Sequence, residues 1–245
     1  MRIRPVRLAP GRFPFIFARV NRFFTPFLRR LYGFFTAFLV LYAAFAIGQH
    51  SGWNKERLYR KLLAGDRNEK LAAAFDLAWL GGQEQLLRAL RSPSAAVREV
   101  AVDSLWSLWF HAAGKEAFSL AQSASAAMAR QKFTEALAIL NRTVAQYPDF
   151  AEGWNRRAIL HWQMGQYEES IEDCKKVVAL NPNHFGAWQG MGLCQLYLGD
   201  AEGACQSFRA ALKINPRDGG LRQMLLQCEE LLRRLSPGRS PPDLA

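Results

Sequence analysis

The chain has few of the residues from which active sites are usually built. Its four histidines lie far apart at positions 50, 111, 161 and 184, and none has a partner at metal-site spacing such as H-x-x-x-H. The phosphate loop, the dinucleotide fingerprint G-x-G-x-x-G and the nucleophile elbow G-x-S-x-G are all missing. We therefore expect no catalytic residue, no bound metal, no cofactor and no small-molecule substrate. The protein is predicted not to be an enzyme.

Cysteine is also scarce, and its placement argues against a disulfide framework. The four cysteines are Cys174, Cys194, Cys205 and Cys228, and all fall in segments with helical periodicity. A domain with this much apolar sequence does not need cross-links to be stable. We interpret the four side chains as small buried apolar groups, while their redox state stays open.

Acidic residues are absent before Glu56, whereas eight arginines lie within residues 1–30. This basic segment holds eight of the eleven net positive charges, so residues 31–245 are nearly balanced and no nucleic-acid-binding stripe is predicted. Phenylalanines alternate with these arginines at positions 13, 15, 17, 23, 24 and 27. The mixture favours contact with membrane lipid, because the rings can be buried while guanidinium groups face anionic headgroups. RNA binding by the same segment is the alternative.

Residues 31–49 contain no charged side chain. As a helix they would be roughly 28 Å long, close to the hydrocarbon thickness of a bilayer. A buried core helix would need a polar face, and this stretch has none. The pattern therefore predicts one N-terminal transmembrane helix.

Three modes of membrane targeting fit this segment. We favour a single-pass signal anchor with a cytoplasmic N-terminus and the repeats on the opposite side, because flanking arginines stay inside. The stretch Ala44-Phe45-Ala46 could instead be a signal-cleavage site, and an Arg-rich, acid-poor leader is also typical of organelle transit peptides. The predicted side conflicts with the free cysteines, since free thiols are less common outside the cytoplasm.

The C-terminal half of the chain repeats itself with a period of 34 residues. Three sets of residues show this spacing: Pro148, Pro182 and Pro216; Trp154 and Trp188; Gly165 and Gly199. A period of this length is typical of stacked helical hairpins, and no segment alternates in the manner of a strand. The predicted fold class is all-α, a right-handed solenoid of helical hairpins.

Residues 151–184 and 185–218 closely resemble tetratricopeptide repeats. In the later unit the family's typical positions hold Trp188, Gly192, Gly199, Ala204, Phe208, Ala211 and Pro216. The earlier unit departs from the pattern at Ser170 and Cys174, and a degenerate first unit, residues 117–150, keeps only the size and polarity of the family's residues. The resemblance implies binding of a protein partner in a concave groove.

The segments on either side of these units are also predicted to be helical. Residues 54–113 contain two pairs of helices that resemble HEAT repeats, most specifically from Leu90 to Arg98. Residues 219–235 form an amphipathic helix typical of a solenoid cap, and residues 236–245 are predicted to be a loose tail.

The family's frame also indicates which side chains face the groove. They are Phe118, Ala121, Ser125 and Met128 in the first unit, Asn155, Arg156, Ile159, Trp162 and Gln163 in the second, and Gln189, Leu193, Leu196 and Tyr197 in the third. This surface is mostly apolar with polar edges, so an apolar helix or an extended peptide is the expected ligand. The family's clamp for a C-terminal carboxylate is not predicted, because only Arg156 supplies a basic group at its positions, which otherwise hold Ala121, Ser125, Gly186 and Gly190.

Together these features predict a membrane-anchored scaffold, adaptor or assembly factor whose groove binds a protein partner. A structural subunit of a large membrane complex is the alternative, and in that case the groove would be permanently filled.

Overall fold

The computed structural model describes residues 31–32, 34–42, 48 and 52–235. The basic segment 1–30, the tail 236–245 and parts of the predicted span 31–49 lie outside the described residues. Residues 31–32 and 34–42 are helical, and their large apolar side chains are exposed. Within the described part of the chain, no helix is both long and apolar enough to cross a membrane.

Contacts divide the chain between Asn54 and Lys55. The helices from residue 52 onward are α1 (Gly52–Ala64), α2 (Arg67–Trp79), α3 (Gln83–Ala89), α4 (Ala95–His111), α5 (Gly114–Ala129), α6 (Phe133–Gln146), α7 (Ala151–Gln163), α8 (Tyr167–Leu180), α9 (Phe185–Tyr197), α10 (Ala201–Ile214) and α11 (Gly219–Leu235). The described residues contain no strand. The predicted all-helical solenoid is therefore confirmed for this part of the chain.

Helices α5 to α11 form a ladder of hairpins. Helices α5 and α6, α7 and α8, and α9 and α10 pack as pairs, and each second helix packs on the first helix of the next pair. Helices α7 and α9 end before Gly165 and Gly199, whose φ angles of +74° and +81° suit glycine. The corresponding residue of the first pair is Gln131, which adopts a φ of +58° despite its Cβ.

Close helix packing inside each hairpin depends on small residues. Ala124, Ala158 and Gly192 occupy equivalent sites and are all buried. A Cβ atom on Gly192 would lie 2.6 Å from the ring of Phe208, so only glycine allows this approach. The period of the sequence thus corresponds to a repeated packing contact.

Helices α1 to α4 form a block with its own leucine-rich core. Its fully buried leucines are Leu62, Leu77, Leu86, Leu90 and Leu105. Asp66 and Glu69 start α2 with a reciprocal cap, in which each backbone N–H donates to the other side chain at 2.9–3.0 Å. The same core also includes Phe185, at the start of α9, so this block and the third hairpin share their apolar interior.

Candidate protein-binding groove

One recurring hydrogen bond fixes the position of the first helix of each hairpin. Trp154 Nε1 donates to the carbonyl of Pro148 at 2.8 Å, and Trp188 Nε1 donates to that of Pro182 at 3.2 Å. In α11 the guanidinium of Arg222 makes the equivalent bond to Pro216 at 2.9 Å. Helix α11 therefore takes the place of the first helix of a further hairpin. The sequence does not indicate this role, because the position equivalent to Trp188 holds Arg222.

A buried polar cluster lies at the N-terminal ends of α7 and α9. The carboxylate of Glu152 is fully buried and accepts hydrogen bonds from Asn155 Nδ2 at 3.1 Å and His184 Nε2 at 3.2 Å. Arg156 Nε lies 2.8 Å from the other carboxylate oxygen as an ion pair, although its angle does not suit a hydrogen bond. His184 Nδ1 accepts from the Ala187 amide at 3.1 Å, so Nε2 is the ring nitrogen that donates to Glu152.

Aromatic side chains of α4 cover this polar cluster. The Trp109 ring stacks on His184 at 4.6 Å between centroids, and Trp106 meets the same imidazole edge-on at 5.1 Å. The guanidinium of Arg156 lies 4.7 Å from the centre of the Phe110 ring. Side chains of α4 thus cover the first turns of α7 and α9, where the predicted groove begins.

The contact between α4 and α9 is close. A Cβ on Gly186 would lie 2.5 Å from Trp106, so the tryptophan fills the space that a side chain there would need. Gly186 and Arg156 are two of the positions at which the family's carboxylate clamp would place its polar groups. In this chain one of them is covered by an indole ring, and the other has its charge balanced by Glu152.

The C-terminal ends of α7 and α9, on the other side of the predicted groove, carry exposed side chains. Trp162 and Tyr197 are 40% and 62% exposed, and Gln163, the residue after Trp162, is exposed as well. The Tyr197 ring stacks on Tyr167 with 4.7 Å between centroids and 14° between planes. Sequence reasoning did not place Tyr167 in the groove because it lies in the second helix of its hairpin, whereas the predicted groove residues lie in the first helices.

The other predicted groove residues lie within the stack. Met128 and Asn155 are buried, and Ile159, Leu193 and Leu196 are partly buried against the cores of the hairpins. Gln189 Nε2 donates to the sulfur of Met224 in α11 at 3.6 Å. Of the predicted groove residues from Met128 to Tyr197, the most exposed are Trp162, Gln163 and Tyr197.

Comparison with known proteins agrees with the repeat geometry. Residues 119–149, 151–184 and 185–218 each match a model described as tetratricopeptide repeat. A TPR repeat-containing protein from Rhizobium etli is 43% identical over 54 residues, which is 22% of this chain and about a quarter (26%) of the length of that relative.

Solved structures with a similar backbone include the Sgt2 TPR domain from Aspergillus fumigatus, with a TM-score of 0.48 and 21% identity over 53% of this chain and 87% of that domain. The first TPR domain of human RPAP3 has a TM-score of 0.47 and 19% identity over 50% of this chain and 97% of that domain.

Proposed function

We propose that this protein is a non-enzymatic, membrane-tethered adaptor or assembly factor. The proposal starts from its tetratricopeptide repeats at residues 119–149, 151–184 and 185–218, because such repeats typically mediate protein–protein interactions. Its partner would bind in the groove at the C-terminal ends of α7 and α9. The block of α1 to α4, which resembles HEAT repeats in sequence, would extend the scaffold.

The exposed aromatic rings carry this proposal. Trp162 and Tyr197 present exposed rings, Tyr197 is stacked on the half-buried Tyr167, and the exposed Gln163 follows Trp162 in α7. Aromatic side chains of this kind are frequent anchors in protein interfaces. They suit an apolar helix or an extended peptide with apolar side chains.

The filled end of the groove limits how such a ligand binds. Trp106, Trp109 and Phe110 cover the site where a terminal carboxylate would be clamped in the family. A partner segment would therefore bind through internal residues, and amidation of its C-terminus would leave its affinity unchanged.

A membrane tether is the second part of the proposal. Residues 31–49 are uncharged and long enough to span, and the arginines and phenylalanines of residues 1–30 suit anionic lipid headgroups. A signal anchor with the repeats opposite the cytoplasm is the proposed topology. Washing membranes at alkaline pH tests the tether, because release of the full-length protein into the soluble fraction would disprove it.

The groove is tested with the double variant Trp162→Ala, Tyr197→Ala in the full chain. Both rings are accessible, so we expect an unchanged helical circular dichroism signal together with at least about a 30-fold loss of partner affinity, as when one interface anchor of about 2 kcal/mol is removed. The matched control is the double variant Glu172→Ala, Lys175→Ala, which removes an exposed ion pair of 2.7 Å on α8.

Two results would contradict the groove assignment. One is loss of the fold in the aromatic variant, and the other is recovery of every partner at the level of the control. A partner that co-purifies in equal amounts through detergent extraction would instead identify a permanent subunit of a membrane complex.

A further inference from the structure

An exposed apolar stripe follows one face of α2, outside the groove. Leu71, Phe75 and Trp79 are spaced four residues apart, and their side chains are 49%, 65% and 81% exposed. On most helices of a globular domain such a stripe faces the core. On α2 the core is instead contacted by Ala73, Ala74 and Leu77, so the helix has two apolar faces and one of them lacks cover within the described chain.

The Trp79 end of this stripe lies beside the beginning of α1. Lys55 Nζ in the first turn of α1 donates to the carbonyl of Gly81 at 3.4 Å, and Glu56 pairs with Arg88 of α3 at 2.9 Å. Helix α2 therefore runs back toward the start of α1, so Trp79 is the end of the stripe nearest to that start.

Chain length then limits the distance between Trp79 and the predicted span. Lys55 follows residue 49 by six residues, and six extended residues cover at most about 20 Å. If residues 31–49 cross a bilayer, the first turn of α1 stays within that distance of the membrane surface. The end of α2 that carries Trp79 lies beyond this turn by the length of the Lys55 side chain, which reaches the carbonyl of Gly81.

The charges of α1 suit a headgroup layer. Lys55, Arg57, Arg60 and Lys61 lie within seven residues of one another, and the single carboxylate among them, Glu56, is paired with Arg88. Basic residues next to a membrane span are attracted to anionic lipids, and tryptophan is enriched at the interface between hydrocarbon and water. The apolar stripe of α2 and the basic residues of α1 therefore both favour contact with a lipid bilayer.

We propose that the Trp79 end of α2, together with the basic residues of α1, contacts the headgroup layer of the bilayer that residues 31–49 span. This inference rests on the membrane tether proposed above. A single span leaves the solenoid free to rotate about the membrane normal and to tilt, whereas a second contact through α2 restricts its tilt. The bilayer would then cover the apolar stripe.

Site-specific fluorescence in liposomes tests this contact on the full chain. Three single variants, Trp79→Cys, Leu71→Cys and Gln206→Cys, each place a thiol at an exposed position for labelling. The four native cysteines are buried, and burial raises the pKa of Cys174 and Cys205 to about 12, so the label reacts with the introduced thiol. The liposomes contain phosphatidylcholine and phosphatidylglycerol, with a quencher attached to a fraction of the headgroups.

We expect the protein to float with the liposomes and the lipid-borne quencher to act most strongly on position 79. Quenching should be weaker at position 71, because α2 leads away from the first turn of α1, and weakest at position 206 on α10. Liposomes without phosphatidylglycerol should show less quenching at position 79, because the basic residues of α1 then lose their anionic partners.

Each other outcome overturns the proposal in a distinguishable way. Flotation with equal quenching at positions 79 and 206 leaves the tether intact and disproves the α2 contact. Stronger quenching at position 71 than at 79 would place the wrong end of α2 at the membrane. Self-quenching at position 79 that grows with protein density would assign the stripe to a second copy of the chain. Absence of flotation would disprove the tether and the α2 contact together.

Discussion

Asp173 is a buried carboxylate that holds three helices together through one arginine. Arg157 Nε and Nη2 donate to its two oxygens at 2.8 and 2.7 Å, and Arg157 Nη1 donates to Asn141 Oδ1 at 2.9 Å. The guanidinium also lies 4.8 Å from the centre of the Trp154 ring. Helices α6, α7 and α8 are thus joined by a single planar group that donates three hydrogen bonds.

Asp173→Asn should destabilise the solenoid by about 3 kcal/mol, the lower end of the range for removing one partner of a buried ion pair, because Arg157 keeps some access to solvent. Glu172→Gln is the matched control, since it makes the same chemical change at the adjacent, exposed residue and should cost less than about 0.5 kcal/mol. Urea unfolding in detergent measures both. Equal midpoints for the two variants would show that the Arg157 pair contributes nothing.

Buried thiols should make stability depend on pH in the alkaline range. Burial raises the pKa of Cys174 from 9.0 to about 12, so above pH 9 the unfolded chain loses this proton while the folded chain keeps it. The free energy of unfolding therefore decreases as pH rises from about 9 to about 12, and by pH 10 this one thiol accounts for about 1 kcal/mol.

Urea unfolding at pH 8 and pH 10 measures that dependence, with Cys174→Ala as the comparison. The variant is expected to be less stable at both pH values but to lose less stability between them. An identical pH dependence in the two proteins would contradict the assignment of this effect to Cys174.

At the scale of the element, the packing of α9 against its neighbouring helices depends on the side chain of Trp188. Its ring is partly buried between the Phe208 cluster and the cluster of Cys174 and Met191. Trp188→Ala should cost about 3 kcal/mol, the low end for removing a large aromatic side chain, because the ring keeps some exposure. Trp79→Ala removes the same side chain from an exposed site, and in detergent its effect should be below about 0.5 kcal/mol. Similar losses in both variants, measured by thermal unfolding, would rule out the proposed role of Trp188.

Elements with a local signal were predictable from the sequence. The ends of α7 and α9 follow from Gly165 and Gly199, and those of α8 and α10 follow from the asparagine before Pro182 and Pro216, which leaves the helical region. The second and third hairpins follow from the 34-residue period. These features depend on residues that are close in sequence, so pattern analysis can detect them.

Features that depend on distant residues were not predictable. Glu152 and His184 are polar, and nothing in their local sequence shows that two tryptophans of α4 cover them. The contact of Trp106 with Gly186 joins parts of the chain that no repeat period relates. For the same reason, the sequence did not indicate that aromatic side chains of α4 cover the first turns of α7 and α9.

At the scale of the whole molecule, the solenoid is not a simple linear array. In most repeat proteins each unit contacts only its neighbours. Here α4 contacts α5, α7 and the start of α9, and Arg91 after α3 donates to the carbonyl of Lys213 at 3.3 Å and accepts from Arg217 Nε at 3.0 Å. These contacts link the first block to the third hairpin, so the two should unfold together.

The shared interior of α4 and α9 has a consequence for the protein during its synthesis. Trp106 and Trp109 leave the ribosome before the residues that cover them, because Phe185 is translated more than seventy residues later. At a translation rate of about 5–20 residues per second, the two indole rings remain without Phe185 for roughly 4–15 s. During that interval the nascent chain exposes an aromatic surface of the kind that chaperones bind and that promotes aggregation. The order of translation therefore leaves this aromatic surface uncovered until the start of the third hairpin has been made.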